Sequence, residues 1–333
     1  MVAATHTHAS VGGLTHFPVA GKTETVLGEY APERVEQFIQ VALRAVRQAF
    51  DSQNHINLWR GTALIHDIAA NRRDPDGISD PNLPFLIAKD DSGIIRAALL
   101  SYACHSTILS ADNLLYSGDL LGTACALLET QQGVVTGLTG AAGNISTRFT
   151  RRTSSTAEVE RMAQELVSAI QVAELKSLQG DGLASAQQQV TLPIKPAQPR
   201  QDLQQALTDA QARLAQMHNY PQRRIVEAEI EGLRVQLNMG ERPIQITTEV
   251  QVFRIGNAYI VSLPGELFVE YGLELSEKLA PAPVLIAGYA NDYIGYVTTP
   301  EASDGYEADS AIVPPEAGNI LVQAALETVK RCG

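Results

Sequence analysis

The sequence predicts an α/β fold in which helices flank a mixed β-sheet core. Segments with helical periodicity alternate along the chain with short apolar runs of strand character. Hairpin turn motifs join some of those runs directly, which adds antiparallel pairs to the sheet. With 333 residues, 45% of them hydrophobic, the chain can bury a sizeable core, either in one large domain or in two smaller ones.

The first third of the chain predicts one helix and one hairpin. Residues 32–50 carry apolar positions at helical spacing behind a proline, which favours a helix. Residues 71–84 are rich in turn-forming residues. Two strands, near 84–89 and 94–104, are then expected on either side of a turn at 90–93.

The middle of the chain continues the alternation. A helix is expected from about 118 to 130, and the apolar run GVVTGLTGAAGN predicts a buried strand that enters a tight glycine turn. Residues 155–175 are again predicted to be helical. From 199 to 240 the composition changes to Gln, Ala, Leu, Arg and Glu with helical periodicity, broken at 219–221. This pattern predicts a helical hairpin inserted into the domain.

The last part of the chain predicts two β-rich runs within QITTEVQVFRIGNAYIVSLPG, which meet in a hairpin at Gly256 and Asn257. A helix from about 267 to 279, a strand in VLIAGYAN and a loop-rich tail are expected to follow. At the other end of the chain, the apolar residues 2–4 predict the end of a short buried strand.

Composition excludes several classes of function. The formal net charge of −12 and the pI of about 5.1 argue against nucleic acid or an anionic membrane surface as the main partner. Three cysteines form neither a paired framework nor a C-x-x-C motif, so no disulfide scaffold or thiolate zinc site is indicated. The sequence has no run of about 18 apolar residues, so no transmembrane segment is predicted.

Reactive side chains follow the predicted strands, at the point where each strand ends. Open α/β sheets place their binding crevices at this edge. The residues concerned are His6 and His8 after the first strand, His105 after the second hairpin strand, Ser146 after the glycine turn, Glu266 after AYIVSLPG, and Tyr293 and Tyr296 after VLIAGYAN.

Two or three histidines with a glutamate are the ligand set of a catalytic zinc, which activates water for amide or ester hydrolysis. The alternative for His6 and His8 is an accidental pair in a flexible terminus, and the alternative for His105 is a satisfied core histidine. Ser146 lies in G-N-I-S-T rather than G-x-S-x-G, so a lipase-type serine triad has little support.

The motifs T-H-T-H, C-H-S-T, A-G-N-I-S, P-G-E-L-F, N-D-Y-I-G-Y-V-T-T and G-Y-E-A, in this order, resemble the catalytic domain of the neutral/alkaline non-lysosomal ceramidase family. That family consists of zinc amidohydrolases that cleave the N-acyl bond of ceramide. The resemblance runs from about residue 3 to residue 333. It implies a single catalytic domain over residues 1–333, one zinc per chain and a ceramide or ceramide-like lipid amide as substrate. A ceramide needs a groove lined by apolar side chains, and the loops 14–19 and 302–315 are candidates for it.

The resemblance also implies roles for individual residues. The implied zinc ligands are His6, His105, Glu266 and Tyr296. The other implied site residues are His8 as the acid/base histidine, Arg72 as a substrate-binding or polarising group, Tyr306 as a donor to the developing oxyanion, and Ser146 as a residue needed for activity. Arg72 lies in a turn-rich loop where an arginine is usually a solvated charge, and Arg73 is an alternative to it.

The sequence departs from the family pattern in several places. The strands that precede T-H-T-H in the family are missing, as is its immunoglobulin-like domain, so we expect a truncated chain or a shortened relative. Thr147 and Arg148 stand where the family's serine motif continues with proline, and the segment between Tyr296 and Tyr306 is about two residues shorter. Two alternative functions therefore stay open: a zinc esterase or amidase acting on a small soluble substrate, and a non-catalytic fragment. Oligomeric state and compartment are not predicted.

Overall fold

A computed structural model describes residues 1–14, 30–196, 198–218, 220–238 and 244–333. Two features of the sequence analysis lie partly outside these ranges. They are the candidate substrate-binding loop, of which residues 15–19 are not described, and the helical hairpin, of which residues 219, 239 and 240 are not described.

Helices occupy most of the segments for which they were predicted. The first is α1, an amphipathic helix, and a pair of adjacent helices, α4 and α5, forms the predicted hairpin. The helices are α1 (Pro32–Asp51), α2 (Asp119–Gln132), α3 (Thr156–Val172), α4 (Arg200–Gln216), α5 (Tyr220–Asn238), α6 (Val269–Leu279), α7 (Gly305–Ser310) and α8 (Glu316–Arg331).

The strands form two larger sheets and two short pairs. The first sheet has the order β5-β4-β3-β1-β7 and the second the order β12-β10-β9-β8, while β11 pairs with β13 and β2 with β6. The strands are β1 (Asn57–Leu64), β2 (Ala70–Asn71), β3 (Asn82–Lys89), β4 (Ile95–Tyr102), β5 (Val134–Thr139), β6 (Ile145–Ser146), β7 (Lys176–Ser177), β8 (Leu183–Pro193), β9 (Gln245–Ile255), β10 (Ala258–Ser262), β11 (Glu266–Leu267), β12 (Val284–Ala287) and β13 (Tyr296–Val297).

The two larger sheets are stacked face to face, and helices cover their outer faces. Leu86 of β3 packs with Ile260 of β10 and Leu285 of β12 between the sheets. Helices α2 and α3 pack on the outer face of the first sheet, and α6 and α8 on that of the second. The result is four layers in the order helix, sheet, sheet, helix, in which the central strands are buried on both faces.

The prediction of an α/β fold with mixed sheets and flanking helices is confirmed. In the first sheet β4 and β5 are parallel and the other pairs antiparallel, and in the second sheet β10 and β12 are parallel. The hairpins β3–β4 and β9–β10 and the helical hairpin also form as predicted. The core, however, is divided between two stacked sheets, and the long strands β1 and β8 had no prediction.

Two predictions for the ends of the chain were wrong. The tail is helical, because Ala317, Leu321, Ala325 and Val329 form a buried stripe at helical spacing on α8, a pattern that the prolines before it obscured. At the other end, residues 2–4 form only an isolated bridge between Ala3 and Ala290 and no regular strand. Residues 2–4 lie instead beside the segment that follows the buried strand β12.

Candidate metal centre

Three segments that follow parallel strands converge at one edge of the sheets. His105 lies three residues after β4, the glycine turn 140–143 follows β5, and Tyr289 follows β12. The N-terminal segment is attached to the third of these, since the amide of Ala4 donates to the carbonyl of Tyr289 at 3.1 Å. The predicted meeting of His6 and His8 with His105 at this edge is therefore seen in the fold.

His6, His8 and His105 form a compact cluster. One ring nitrogen from each lies within 4.8 Å of the others, and Nε2 of His6 is 3.2 Å from Nε2 of His8. His6 has a φ of 55°, which is uncommon for a residue other than glycine, and its ring stacks on Tyr289 with a centroid distance of 4.0 Å. A backbone held in this conformation by tertiary contacts is typical of a functional site.

Glu266 completes the cluster from β11. Its Oε2 lies 3.1 Å from Nε2 of His105 and 3.5 Å from Nε2 of His6, and its Oε1 accepts a hydrogen bond of 2.6 Å from the hydroxyl of Tyr293. Burial alone would raise the pKa of this carboxyl. The nearby imidazoles of His6 and His105 and the hydrogen bond from Tyr293 outweigh that effect and hold the pKa well below its usual range.

The hydrogen bonds of His105 fix its tautomer. Nδ1 of His105 donates to the carbonyl oxygens of Ala142 and Ile145, at 2.7 and 3.0 Å. Because both partners can only accept, the proton of the neutral ring is on Nδ1 and Nε2 presents a lone pair. A histidine that ligates a metal is held in the same way, through its other ring nitrogen.

The cluster thus points the Nε2 lone pair of His105 at the carboxylate of Glu266. Burial lowers the pKa of His105 and lowers the pKa of His6 to about 4, so both rings are neutral near pH 7. The unprotonated Nε2 of His105 and the ionised carboxylate 3.1 Å from it repel unless a cation lies between them. The donor set therefore fits a zinc ion, whose protein ligands are imidazole nitrogen and carboxylate oxygen.

Arg72 is buried beside this cluster and is not the solvated charge that its loop suggested. Its Nε donates to Oε1 of Glu307 at 2.7 Å, and its Nη2 donates to the carbonyl of Gly143 at 2.7 Å and to the hydroxyl of Tyr296 at 2.9 Å. Arg73 pairs with the second oxygen of Glu307 and with Asp304. Arg72, rather than Arg73, therefore contacts the site tyrosine.

The two site tyrosines are adjacent. Tyr296 lies directly opposite Glu266 in the parallel pair β11–β13, so both side chains are on the same face. Burial raises the pKa of Tyr296 well above its usual value. The ring of Tyr306 meets that of Tyr296 edge to face at a centroid distance of 5.6 Å, and Tyr306 is partly exposed.

Ser146 is buried next to His105 through the backbone, since the two residues form a parallel bridge. Its hydroxyl oxygen accepts a hydrogen bond of 3.2 Å from the amide of Arg148. Within the described ranges this hydroxyl has no hydrogen bond to an imidazole. The arrangement thus lacks the serine–histidine pair on which a nucleophilic serine depends.

Comparison with known proteins points to one group of enzymes. The chain is 25% identical over 383 aligned positions to a neutral ceramidase of Pseudomonas aeruginosa, covering 95% of this chain and 56% of the relative. The crystal structure of neutral ceramidase from P. aeruginosa superposes with a TM-score of 0.73 at 21% identity, covering 99% of this chain and 60% of that one. Neutral ceramidases are homologues of this chain by sequence and by structure.

Two further comparisons agree with this homology. A neutral ceramidase of Mycobacterium tuberculosis is 40% identical over 77 residues, which cover 21% of this chain and 12% of the relative. A solved structure titled as ceramidase complexed with C2 has a TM-score of 0.74 at 20% identity, covering 99% of this chain and 62% of that one. No family model matches the sequence. The chain spans about half the length of the first ceramidase relative.

Three residues of the site had no predicted role. Glu307 pairs with Arg72, Tyr293 donates to Glu266, and Tyr289 stacks on His6. Glu307 and Tyr293 lie inside the motifs G-Y-E-A and N-D-Y-I-G-Y-V-T-T of the sequence analysis, so their position was visible but their partners were not. Tyr289 has a φ of 54°, which depends on tertiary contacts and leaves no pattern in the sequence.

The other histidines in the described ranges, His55, His66 and His218, are exposed and are not part of the cluster. None of the helices in the described part of the chain is long and apolar enough to cross a membrane.

Proposed function

We propose that this ceramidase homologue is a zinc-dependent hydrolase that cleaves the N-acyl amide bond of ceramide or a ceramide-like lipid. The observation that carries the proposal is the convergence of neutral imidazoles on an ionised carboxylate, which the Nε2 lone pair of His105 faces at 3.1 Å. The likeness to neutral ceramidases along nearly the whole chain supports the choice of substrate class. Because this chain spans about half of the first relative, its own activity has to be measured.

His6, His105 and Glu266 are the proposed zinc ligands, and Tyr296 is the proposed fourth. Tyr296 is favoured by its position opposite Glu266 in β11–β13. His8 competes for the same place, because its Nε2 is 3.2 Å from Nε2 of His6. We assign His8 to proton transfer because it is the most exposed of the three histidines and so faces the mouth of the site.

When bound, zinc supplies a Lewis acid that polarises the amide carbonyl and acidifies the attacking water. The water oxygen adds to the carbonyl carbon, and the carbon–nitrogen bond then breaks to give a carboxylate and an amine. His8 passes the water's proton to the leaving nitrogen.

Arg72 and Tyr306 stabilise the negative charge that develops on the carbonyl oxygen. Nε and Nη2 of Arg72 are engaged by Glu307, Gly143 and Tyr296, and Nη1 has no hydrogen bond to the described residues. Nη1 is therefore available to the substrate, while the bonds at the other two nitrogens hold the guanidinium in place. Ser146 is assigned a hydrogen bond to the substrate, because its hydroxyl lacks a base.

A comparison of two substrates tests the proposal. The zinc-loaded chain is expected to hydrolyse a long-chain N-acyl sphingosine faster than a short p-nitrophenyl ester, and His105→Ala is expected to hydrolyse neither. Faster cleavage of the ester would favour a zinc esterase or amidase that acts on small soluble substrates. Absence of turnover on both, with zinc bound, would favour a non-catalytic fragment.

The roles of Tyr296 and His8 can be separated by metal content. If Tyr296 is the fourth ligand, Tyr296→Phe lowers bound zinc while His8→Gln keeps it and loses turnover. The opposite result would make His8 the ligand. His66→Ala, at an exposed histidine outside the cluster, is the matched control.

A further inference from the structure

Two exposed apolar elements are attached to the segment that carries His6 and His8. The first is the loop of Leu114, Leu115 and Tyr116, whose side chains are 93%, 73% and 79% exposed. The loop is held against the histidine segment at its end. Ser117 donates its amide to the carbonyl of Ala9 at 2.8 Å and accepts a 2.7 Å hydrogen bond from the hydroxyl of Thr7.

The second element is the apolar face of α1. Its side chains recur at helical spacing, and none of the residues of the helix is buried. The start of α1 is tied to the same segment, since Ala31 donates its amide to Gly13 and Arg34 donates its guanidinium to Gly12, both at 2.9 Å. The apolar face consists of Val35, Phe38, Ile39, Ala42, Val46 and Phe50.

Together, this face of α1 and the loop 114–116 are here called the apolar rim. Large side chains at several adjacent positions are rarely left in water by a soluble monomer, because each exposed one forgoes about 1.5–3 kcal/mol of burial free energy. Both parts of the rim are fixed by hydrogen bonds to residues 7–13, a segment that contains His8 and directly follows His6. The rim therefore belongs to the surroundings of the candidate site.

We propose that the apolar rim docks on the surface of a zwitterionic lipid bilayer and so brings the site to its substrate. This inference rests on the proposed function, because a ceramide-like lipid resides in a bilayer and not in water. The low mean hydropathy of α1 together with its one-sided apolar face is typical of helices that lie in the membrane interface rather than span it.

Charge indicates which kind of bilayer the rim fits. The polar face of α1 carries three acidic and three basic side chains, and the chain as a whole has a net charge of −12. Neither feature attracts anionic lipids, so docking depends on apolar burial and not on electrostatic attraction. The acidic residues are Glu33, Glu36 and Asp51, and the basic residues are Arg34, Arg44 and Arg47.

A second copy of the chain is a weaker candidate for the occupant. A helix of 20 residues is about 30 Å long and about 10 Å wide, so α1 alone offers well under the about 800 Å² per partner of a stable interface. The loop 114–116 adds to this area only if both elements meet one surface. A bilayer is flat and extended, and can meet both at once.

Co-sedimentation of the full chain with phosphatidylcholine vesicles tests the inference. The wild type is expected to bind, and the double variants Leu114→Ser/Leu115→Ser and Phe38→Gln/Val46→Gln are each expected to weaken binding at least tenfold. Val172→Ser is the matched control, because Val172 is an exposed valine at the end of α3, outside the rim. The replaced side chains are all exposed, so circular dichroism should show each variant folded.

Three results would overturn the inference. The first is that the wild type binds vesicles no more strongly than both rim variants do. The second is that binding appears only with added phosphatidylserine and disappears at high salt. The third is that the wild type does not bind vesicles but forms a dimer in light scattering, and that the rim substitutions dissociate this dimer.

Hydrolysis separates a failure of this inference from a failure of the proposed function. The rim variants should cleave a short-chain ceramide dissolved as monomers at the wild-type rate, but cleave ceramide in vesicles at least tenfold more slowly. Vesicle binding without cleavage of either substrate would refute the proposed function and leave the docking surface standing. Equal cleavage of vesicle ceramide by wild type and rim variants would refute the docking surface alone.

Discussion

Arg72 and Glu307 form a buried ion pair that links two distant parts of the chain. The Nε–Oε1 distance is 2.7 Å, and both side chains are less than a tenth exposed. A buried charge is tolerated only when it is paired and hydrogen-bonded, and Arg72 meets that condition through Glu307, Gly143 and Tyr296. The position of Tyr296 thus depends on Glu307, which acts through Arg72.

Replacement of this acid tests the dependence. Glu307→Gln is expected to lower the free energy of unfolding by about 3 kcal/mol, because Arg72 keeps its charge but loses its counter-ion. Urea unfolding measures the change. Glu327→Gln, at an exposed glutamate of α8, is the control and should change stability by less than about 0.5 kcal/mol. Equal stability of the two variants would show that the buried pair is not a structural requirement.

At the residue scale, the sequence predicted which residues form the candidate site better than it predicted what surrounds each of them. The motifs pointed to His6, His105 and Glu266, and the structure brings these side chains together. The same motifs could not show that Arg72 is buried, because burial depends on Glu307, which is 235 positions away in the sequence. They could not show the stacking of Tyr289 on His6 for the same reason.

At the element scale, the glycine turn after β5 sets the distance between the turn and β11. A Cβ atom on Gly143 would lie 2.3 Å from the carbonyl oxygen of Glu266, a contact that atoms do not tolerate. The amide of Gly143 also donates to the carbonyl of Leu267 at 2.8 Å. Glycine is therefore required at position 143, because only a residue without a Cβ atom lets the backbone of the turn come this close to the backbone of β11.

This requirement predicts a specific defect. Gly143→Ala should push β11 and Glu266 away from His105, lowering both bound zinc and the free energy of unfolding, the latter by about 2 kcal/mol. Gly122→Ala is the control, since the new methyl group on α2 meets open space and should stabilise the helix by up to about 1 kcal/mol. Unchanged zinc content in Gly143→Ala would show that the turn does not position the site.

A second element, α3, predicts a dependence of stability on pH. Glu158 in its first turn accepts hydrogen bonds from Arg161, at 2.8 and 2.6 Å, and from the amide of Arg152 at 2.8 Å. The bonds from Arg161 are the main cause that lowers the pKa of Glu158 to about 2. Because the folded pKa lies below the unfolded value of 4.5, the stabilisation is complete above about pH 5 and is lost as pH falls towards 2.

The difference in unfolding free energy between wild type and Glu158→Gln should follow this course. It is expected to be about 1 kcal/mol at pH 7 and to shrink steadily below pH 4.5. Urea unfolding at several pH values measures it, with the exposed Glu160→Gln on the same helix as the control. A difference that stays constant from pH 7 to pH 3 would contradict the ion pair.

Elements with a strong apolar period were predictable, and those without one were not. The helical hairpin and both β-hairpins have clear periodicity or turn residues, and they form. Strand β8 carries Ala or Gln at five of its 11 positions because it is an edge strand with an exposed face, so its composition resembled a loop. Helix α8 has a regular apolar stripe, but the prolines and glycines before it suggested a loop-rich tail.

At the scale of the whole molecule, two stacked sheets hold the candidate site together. Hydrogen bonds cross from one sheet to the other, as from the hydroxyl of Ser101 to the carbonyl of Ile286 at 2.7 Å. His105 follows a strand of the first sheet, and Glu266 and Tyr289 follow strands of the second. The cluster thus joins the two sheets at one edge. The sequence predicted several of the strands but not their division into two layers, which depends on packing between residues far apart in the chain.

The central claim is that His6, His105 and Glu266 hold a zinc ion, and elemental analysis tests it most directly. Wild-type chain, His6→Ala and the control His66→Ala are purified, reconstituted with zinc and assayed for metal per chain. The account predicts about one zinc in the wild type and in His66→Ala, and none in His6→Ala. A wild type without zinc after reconstitution, or a His6→Ala variant that retains it, would contradict the account.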